Sequence, residues 1–70
     1  MDTSKLTRMA NQIASNFEAN GHETAVEETR VHIWKFWDPR MKAGIFADMS
    51  GLNPIAKEAI EQLKADAEAA

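Results

Sequence analysis

Few side chains in this sequence are able to do chemistry. Its histidines are His22 and His32. Two imidazoles one helical turn apart can share a metal ion, as in an HExxH arrangement. Their separation instead puts these two on different sides of a helix, so each reads as a capping or surface histidine. Ser4, Ser15 and Ser50 fall near helix ends or on a polar face, outside any GxSxG-type nucleophile turn. The carboxylates are scattered as on a solvated surface. Gly21, Gly44 and Gly51 are too dispersed for a phosphate-cradling loop. The absence of cysteine excludes disulfides and thiolate metal sites. A substrate pocket of ~300 Å³ or more would be hard to carve from so short a chain. No catalytic, cofactor-binding or metal-binding residue is expected. By elimination the chain is a binding or structural module.

The concentration of apolar surface is more informative. "HIWKFWDPRM", residues 32–41, holds Trp34, Phe36 and Trp37 together and closes on an Asp-Pro-Arg-Met turn. Positioning these residues requires helices, because the apolar period is helical throughout and no strand-like alternation is sustained. In the first segment Leu6, Met9, Ala10, Ile13 and Phe17 form one stripe. Asp2, Thr3 or Ser4 can cap its start, and Gly21 can end it with a positive φ. The second helix is expected from about Glu23 to Trp37, with Val26, Ile33 and Trp37 inward, flanked by Thr29 and Phe36. Pro39 limits it, and Asp38-Pro39 reads as the cap and first residue of a third helix. That helix is expected over about Pro39 to Met49, with Met41, Ile45 and Met49 on one face and Ser50-Gly51 at its end. Phe46 lies off that face. Asn53-Pro54 repeats the device for a fourth helix, with Ile55, Ala59, Ile60, Leu63 and Ala67 inward. Glu58, Glu61 and Lys64 cover its other side. The alanine-rich tail ADAEAA is expected to fray. The whole reads as an all-α bundle of three to four short helices.

Placed on the second helix, the aromatics divide. Ile33, Phe36 and Trp37 belong to the inward stripe. Trp34 is ~80° off it by helical geometry, so either another helix wraps over it or a partner covers it. Arg40 falls in the first turn of the third helix, where the macrodipole disfavours a cation. An acidic or carbonyl partner is expected for it, within the chain or beyond.

With 70 residues the chain makes a single domain, 1–70, with a thin core. Well-packed helices or a partner must supply what disulfides and metals do not. The net charge is −3. The excess acid lies beyond residue 42, where Asp48, Glu58, Glu61, Asp66 and Glu68 face only Lys57 and Lys64. Between Arg30 and Lys42 the balance is basic, with Asp38 the sole acid. One short basic stretch on an acidic chain is poor material for nucleic-acid binding. No signal-peptide pattern or membrane-length apolar run is present in the sequence, so a cytoplasmic protein is expected.

"RMANQIASNF" (Arg8 to Phe17) followed by "HIWKFWDPRM" resembles the delta subunit of the NAD-dependent formate dehydrogenases. The element HIxxFWDPRM is the specific one. Leu52-Asn53-Pro54 and Ala59-Ile60-Glu61-Gln62-Leu63 are similar to the family's tail, so the resemblance covers nearly the whole chain. The sequence departs from the family pattern in its NGHETAVEE loop, which lacks proline, and at Trp34, a position more often polar or basic. The resemblance implies a small, cofactor-free component of a cytoplasmic multi-subunit enzyme. The alpha subunit of that enzyme holds a molybdenum bis-pterin cofactor and iron–sulfur clusters. Its beta and gamma subunits pass electrons through flavin and further clusters to NAD. A subunit docked permanently on alpha, supporting assembly or stability, is the first expectation. The alternative is a transient assembly factor that holds the apo-enzyme during molybdenum cofactor insertion. The residues expected to bind the partner are Trp34, Phe36, Asp38, Pro39, Arg40 and Met41.

Overall fold

The computed structural model describes residues 2–69, which form four α-helices and no strand. Helix α1 spans Thr3–Phe17. The Asp2 carboxylate caps it, accepting from the Ser4 N–H at 3.0 Å and the Ser4 hydroxyl at 2.9 Å. A 3-10 turn, Glu18–Asn20, carries the chain to Gly21, whose φ of 95° is costly for any residue with a Cβ. Helix α2, His22–Phe36, follows at once. Asp38 then caps α3, Pro39–Ala47, through a 2.9 Å bond from the Met41 N–H, and Pro39 stands in the first turn. Asn53 caps α4, Pro54–Ala69, by accepting from the Ala56 N–H at 2.8 Å. Both cap-plus-proline starts therefore form as the sequence predicts.

Helix α2 packs mainly on α4 and α1, while α3 lies across α1 and α4. The core combines Leu6 of α1, Ile33 and Trp37 at the end of α2, Ile45 of α3, and Ile60 and Leu63 of α4. Alanines bring the helices together. Ala10, Ala14, Ala25, Ala56 and Ala59 are fully buried, and small side chains at a contact shorten the interaxial distance. Gly44 takes this further. A Cβ there would stand 2.7 Å from Leu6 Cδ1, so α3 presses on α1 at this point. The resulting Cα radius of gyration is 10.9 Å, close to the ~11 Å of a well-packed chain this long.

A pair of asparagines ties the α3–α4 loop to α1. The Asn11 amide donates to the Gly51 carbonyl at 3.0 Å, and its oxygen accepts from the Asn53 N–H at 2.8 Å. Asn53 returns a bond from its own amide to the Asn11 carbonyl at 3.4 Å. Asn11 belongs to the RMANQI element and Asn53 to the Leu-Asn-Pro element, so two separate motifs meet in one hydrogen-bonded clasp.

Several expectations are corrected. Helix α3 stops at Ala47, before Met49, because the Asp48 carboxylate folds the chain locally. It accepts from the Ser50 N–H at 3.1 Å and the Ser50 hydroxyl at 2.6 Å, a side-chain turn that competes with helix. Helix α4 runs through the alanine-rich tail to Ala69, where fraying was expected, since alanine is the strongest helix former. Ala70, the last residue of that tail, lies outside the described residues. Ala67 is exposed, because α4 extends beyond the Leu63 layer, its last buried position. Met9 sits at the edge of its stripe and stays 36% exposed. Phe36 leaves the core altogether and is 71% exposed. The cause is next to it. Trp37 has extended backbone, φ −89° and ψ 134°, and buries its indole. The helix ends at Phe36, and the extended residue that follows it, Trp37, is the one that turns its ring into the core.

Candidate docking surface

The segment 32–41 spans the end of α2, the bend at Trp37 and the first turn of α3. Ile33 is fully buried and Trp37 nearly so, which agrees with the inward half of the reading. The other residues divide between structure and surface. Asp38 and Pro39, both exposed, build the start of α3. Met41 is half-buried against the core. Arg40 is exposed and, among the described residues, forms no ion pair. The two outward aromatics emerge on opposite sides of α2, since two helical steps turn by ~200°.

On one side stands Trp34, 60% exposed. Lys42 of α3 folds back over it. The ammonium lies 4.3 Å from the ring centroid and donates to the Trp34 carbonyl at 3.0 Å. This carbonyl is in the last turn of α2, where a cation also meets the negative end of the helix dipole. A cation over an indole face is attracted by the ring quadrupole, so one face of the ring is already engaged.

On the other side the Phe36 ring rests against His32 one turn earlier, with centroids 4.9 Å apart at a 48° tilt. His32 forms a wall of a trough between α1 and α2, whose other sides are Arg8, Met9, Gln12, Ile13 and the edge of Trp37. Its volume is about 400 Å³, more than the ~300 Å³ that a short chain was expected to leave. The helices splay enough to make the volume, but the trough is open to solvent rather than enclosed. Across Met9 it passes into a smaller hollow lined by Lys5, Leu6 and Met41. No Asp or Glu lines either depression.

Elsewhere among the described residues two pairs of titratable groups form. His22 at the start of α2 bonds Glu58 of α4. Arg30 pairs with Glu27 one turn back. The hydrogen bond from Arg30 holds the Glu27 carboxyl below its ordinary range and raises the guanidinium in turn. Hydrogen bonds from Ser4 and Ser50 likewise lower Asp2 and Asp48. Among the described residues no three His, Asp or Glu side chains gather as metal ligands, and no helix is long and apolar enough to cross a membrane.

Sequence reasoning missed the Asn11–Asn53 clasp and the trough. Basic residues at the period of an amphipathic helix, Lys5 and Arg8 flanking Met9, were the available signal for the second. A family model described as "NADH-dependant formate dehydrogenase delta subunit FdsD" matches residues 5–60. No curated protein and no solved structure matches the chain.

Proposed function

Because the chain belongs to the delta-subunit family of NADH-dependent formate dehydrogenases, we propose that it is a non-catalytic subunit that docks on the catalytic alpha subunit. In this reading it supports assembly or stability of the complex and carries no cofactor. The molybdenum pterin, iron–sulfur and flavin groups belong to its partners. The observation that carries the reading is the exposure of Trp34 and Phe36 at the end of α2. Large aromatics left at the surface of so small a domain are the anchors from which protein interfaces are built. Arg40, without an ion pair among the described residues, supplies a cation in the first turn of α3.

The test is quantitative purification of the active enzyme from cells producing all its subunits. The expected result is this chain in fixed stoichiometry with the catalytic subunit. Active enzyme from which the chain is absent would overturn permanent docking and leave the transient assembly role. Assayed alone, the chain should bind no stoichiometric metal and should not reduce NAD with formate. Either property would remove the accessory reading.

A further inference from the structure

The trough between α1 and α2 differs from the rest of the surface in charge. The chain is acidic overall, at −3. Yet Lys5 and Arg8 border these hollows, His32 lines one, and no carboxylate lines either. Asp2 and Asp38, next to the trough in sequence, are held as helix caps by the Ser4 and Met41 N–H groups, and the exposed Glu28 stands one turn before His32 without lining the trough. Arg8 also feels the charge of Asp2 from across the first turn. The floor is apolar and adaptable, with Met9 and Ile13 on α1, Met41 on α3 and the edge of Trp37. Methionines suit a surface that must mould to another side chain.

From this arrangement we infer that the trough is the seat of an acidic segment of the partner subunit, with one large apolar side chain between carboxylates. The apolar side chain enters between Met9, Ile13 and His32, beside Phe36. The carboxylates meet Arg8 and Lys5. A second copy of the chain fits badly. A two-fold contact through this trough would bring the Lys5 and Arg8 of both copies into one interface with no lining carboxylate to offset them. A head-to-tail contact onto the acidic α4 would use two different faces of the chain and generate a ring or an open chain of copies. Charge complementarity thus favours a different, acidic polypeptide as the occupant.

This inference rests on the docking role proposed above, and the experiment separates the two. The chain is co-produced with the complete enzyme in five forms: wild type, Arg8→Lys, Arg8→Glu, Met9→Lys and Met9→Glu. Each free chain is checked for helical content by circular dichroism. Both positions are surface ones, so the fold should persist. Charge sign is the discriminating variable. Arg8→Glu and Met9→Glu should weaken association about tenfold or more, with Arg8→Lys near wild type and Met9→Lys intermediate. Wild-type association should also fall with added salt. If wild type co-purifies and the glutamate variants bind as well as it does, the trough is not the seat and only this inference fails. Equal losses for Met9→Lys and Met9→Glu would overturn the acidic partner. Self-association that Met9→Glu abolishes, with the complex unaffected, would assign the face to a second copy and overturn the inference. If wild type itself never co-purifies, both readings fall.

Discussion

Asp38 is placed where a short side-chain oxygen satisfies the first turn of α3. Its oxygen takes the Met41 N–H at 2.9 Å while its backbone stays extended, with ψ 169°. Losing such a cap typically costs ~1 kcal/mol. Pro39 removes an N–H that has no intrahelical acceptor, so it contributes mainly by fixing φ. Asp38→Ala should therefore lower the melting temperature more than Pro39→Ala, and a reversed ranking in thermal unfolding would refute this account. The carboxylates also set an acid response. Asp2, Glu27 and Asp48 have folded-state pKa values below their ordinary ones, because hydrogen bonds from Ser4, Arg30 and Ser50 favour the charged forms. Their contribution is complete above the ordinary values of 3.8 and 4.5. It is lost as pH falls through the lower folded values. Stability should thus be flat in these groups near neutrality and drop below about pH 4, by a small amount because all three are exposed. An acid titration of the melting temperature checks the sign. At the residues proposed to face the partner, Trp34→Ala and Arg40→Ala should leave the helical circular dichroism intact and weaken co-purification with the catalytic subunit.

At the scale of elements, two contacts decide how α3 and its loop sit on α1. Gly44→Ala should raise helix propensity by ~1 kcal/mol, but the new Cβ meets Leu6 Cδ1 at 2.7 Å. Leu6 is 1% exposed and has little room to swing. Overpacking of this kind costs ~1–3 kcal/mol. The net expectation is a modest loss in chemical denaturation; a gain would show that Leu6 yields freely. Asn11→Ala should be costlier, because it leaves the half-buried Asn53 N–H without its acceptor, a loss of ~1–3 kcal/mol. These two contacts also mark what was legible. Helix starts could be read from adjacent residues, since Asp38-Pro39 and Asn53-Pro54 carry their own capping chemistry. The Asn11–Asn53 clasp joins positions 42 residues apart, and no local pattern announces it. Buried alanines such as Ala14 and Ala56 were passed over because an alanine suits either face of a helix. The angular reading kept Phe36 inside by extending the helical period through Trp37, where the backbone had already turned to extended geometry. For the docking surface, the outward position of Trp34 followed from its angle, whereas the trough needed α1 and α2 side by side.

The molecule as a whole has little stability to lose, and this links its core to the proposed docking face. A single core this small seldom supplies more than ~3–5 kcal/mol. Trp37→Ala removes a side chain that is 5% exposed, at a typical cost of ~3–5 kcal/mol. Leu63→Ala, at a position 2% exposed on α4, should cost ~2–5 kcal/mol. Alone, both variants should lose most of their helical circular dichroism. Their behaviour beside the partner should differ. A partner that binds only the folded state stabilises it by mass action, by ~2.7 kcal/mol at a hundredfold excess over Kd. Leu63 lines neither of the depressions, so Leu63→Ala keeps that surface intact and should be recovered in the complex when all subunits are produced together. Trp37 is both core and a wall of the trough. Its truncation damages the fold and the seat together, so Trp37→Ala should stay absent from the purified enzyme. Equal recovery of the two would mean that the indole serves only the core, and that the partner engages this chain elsewhere.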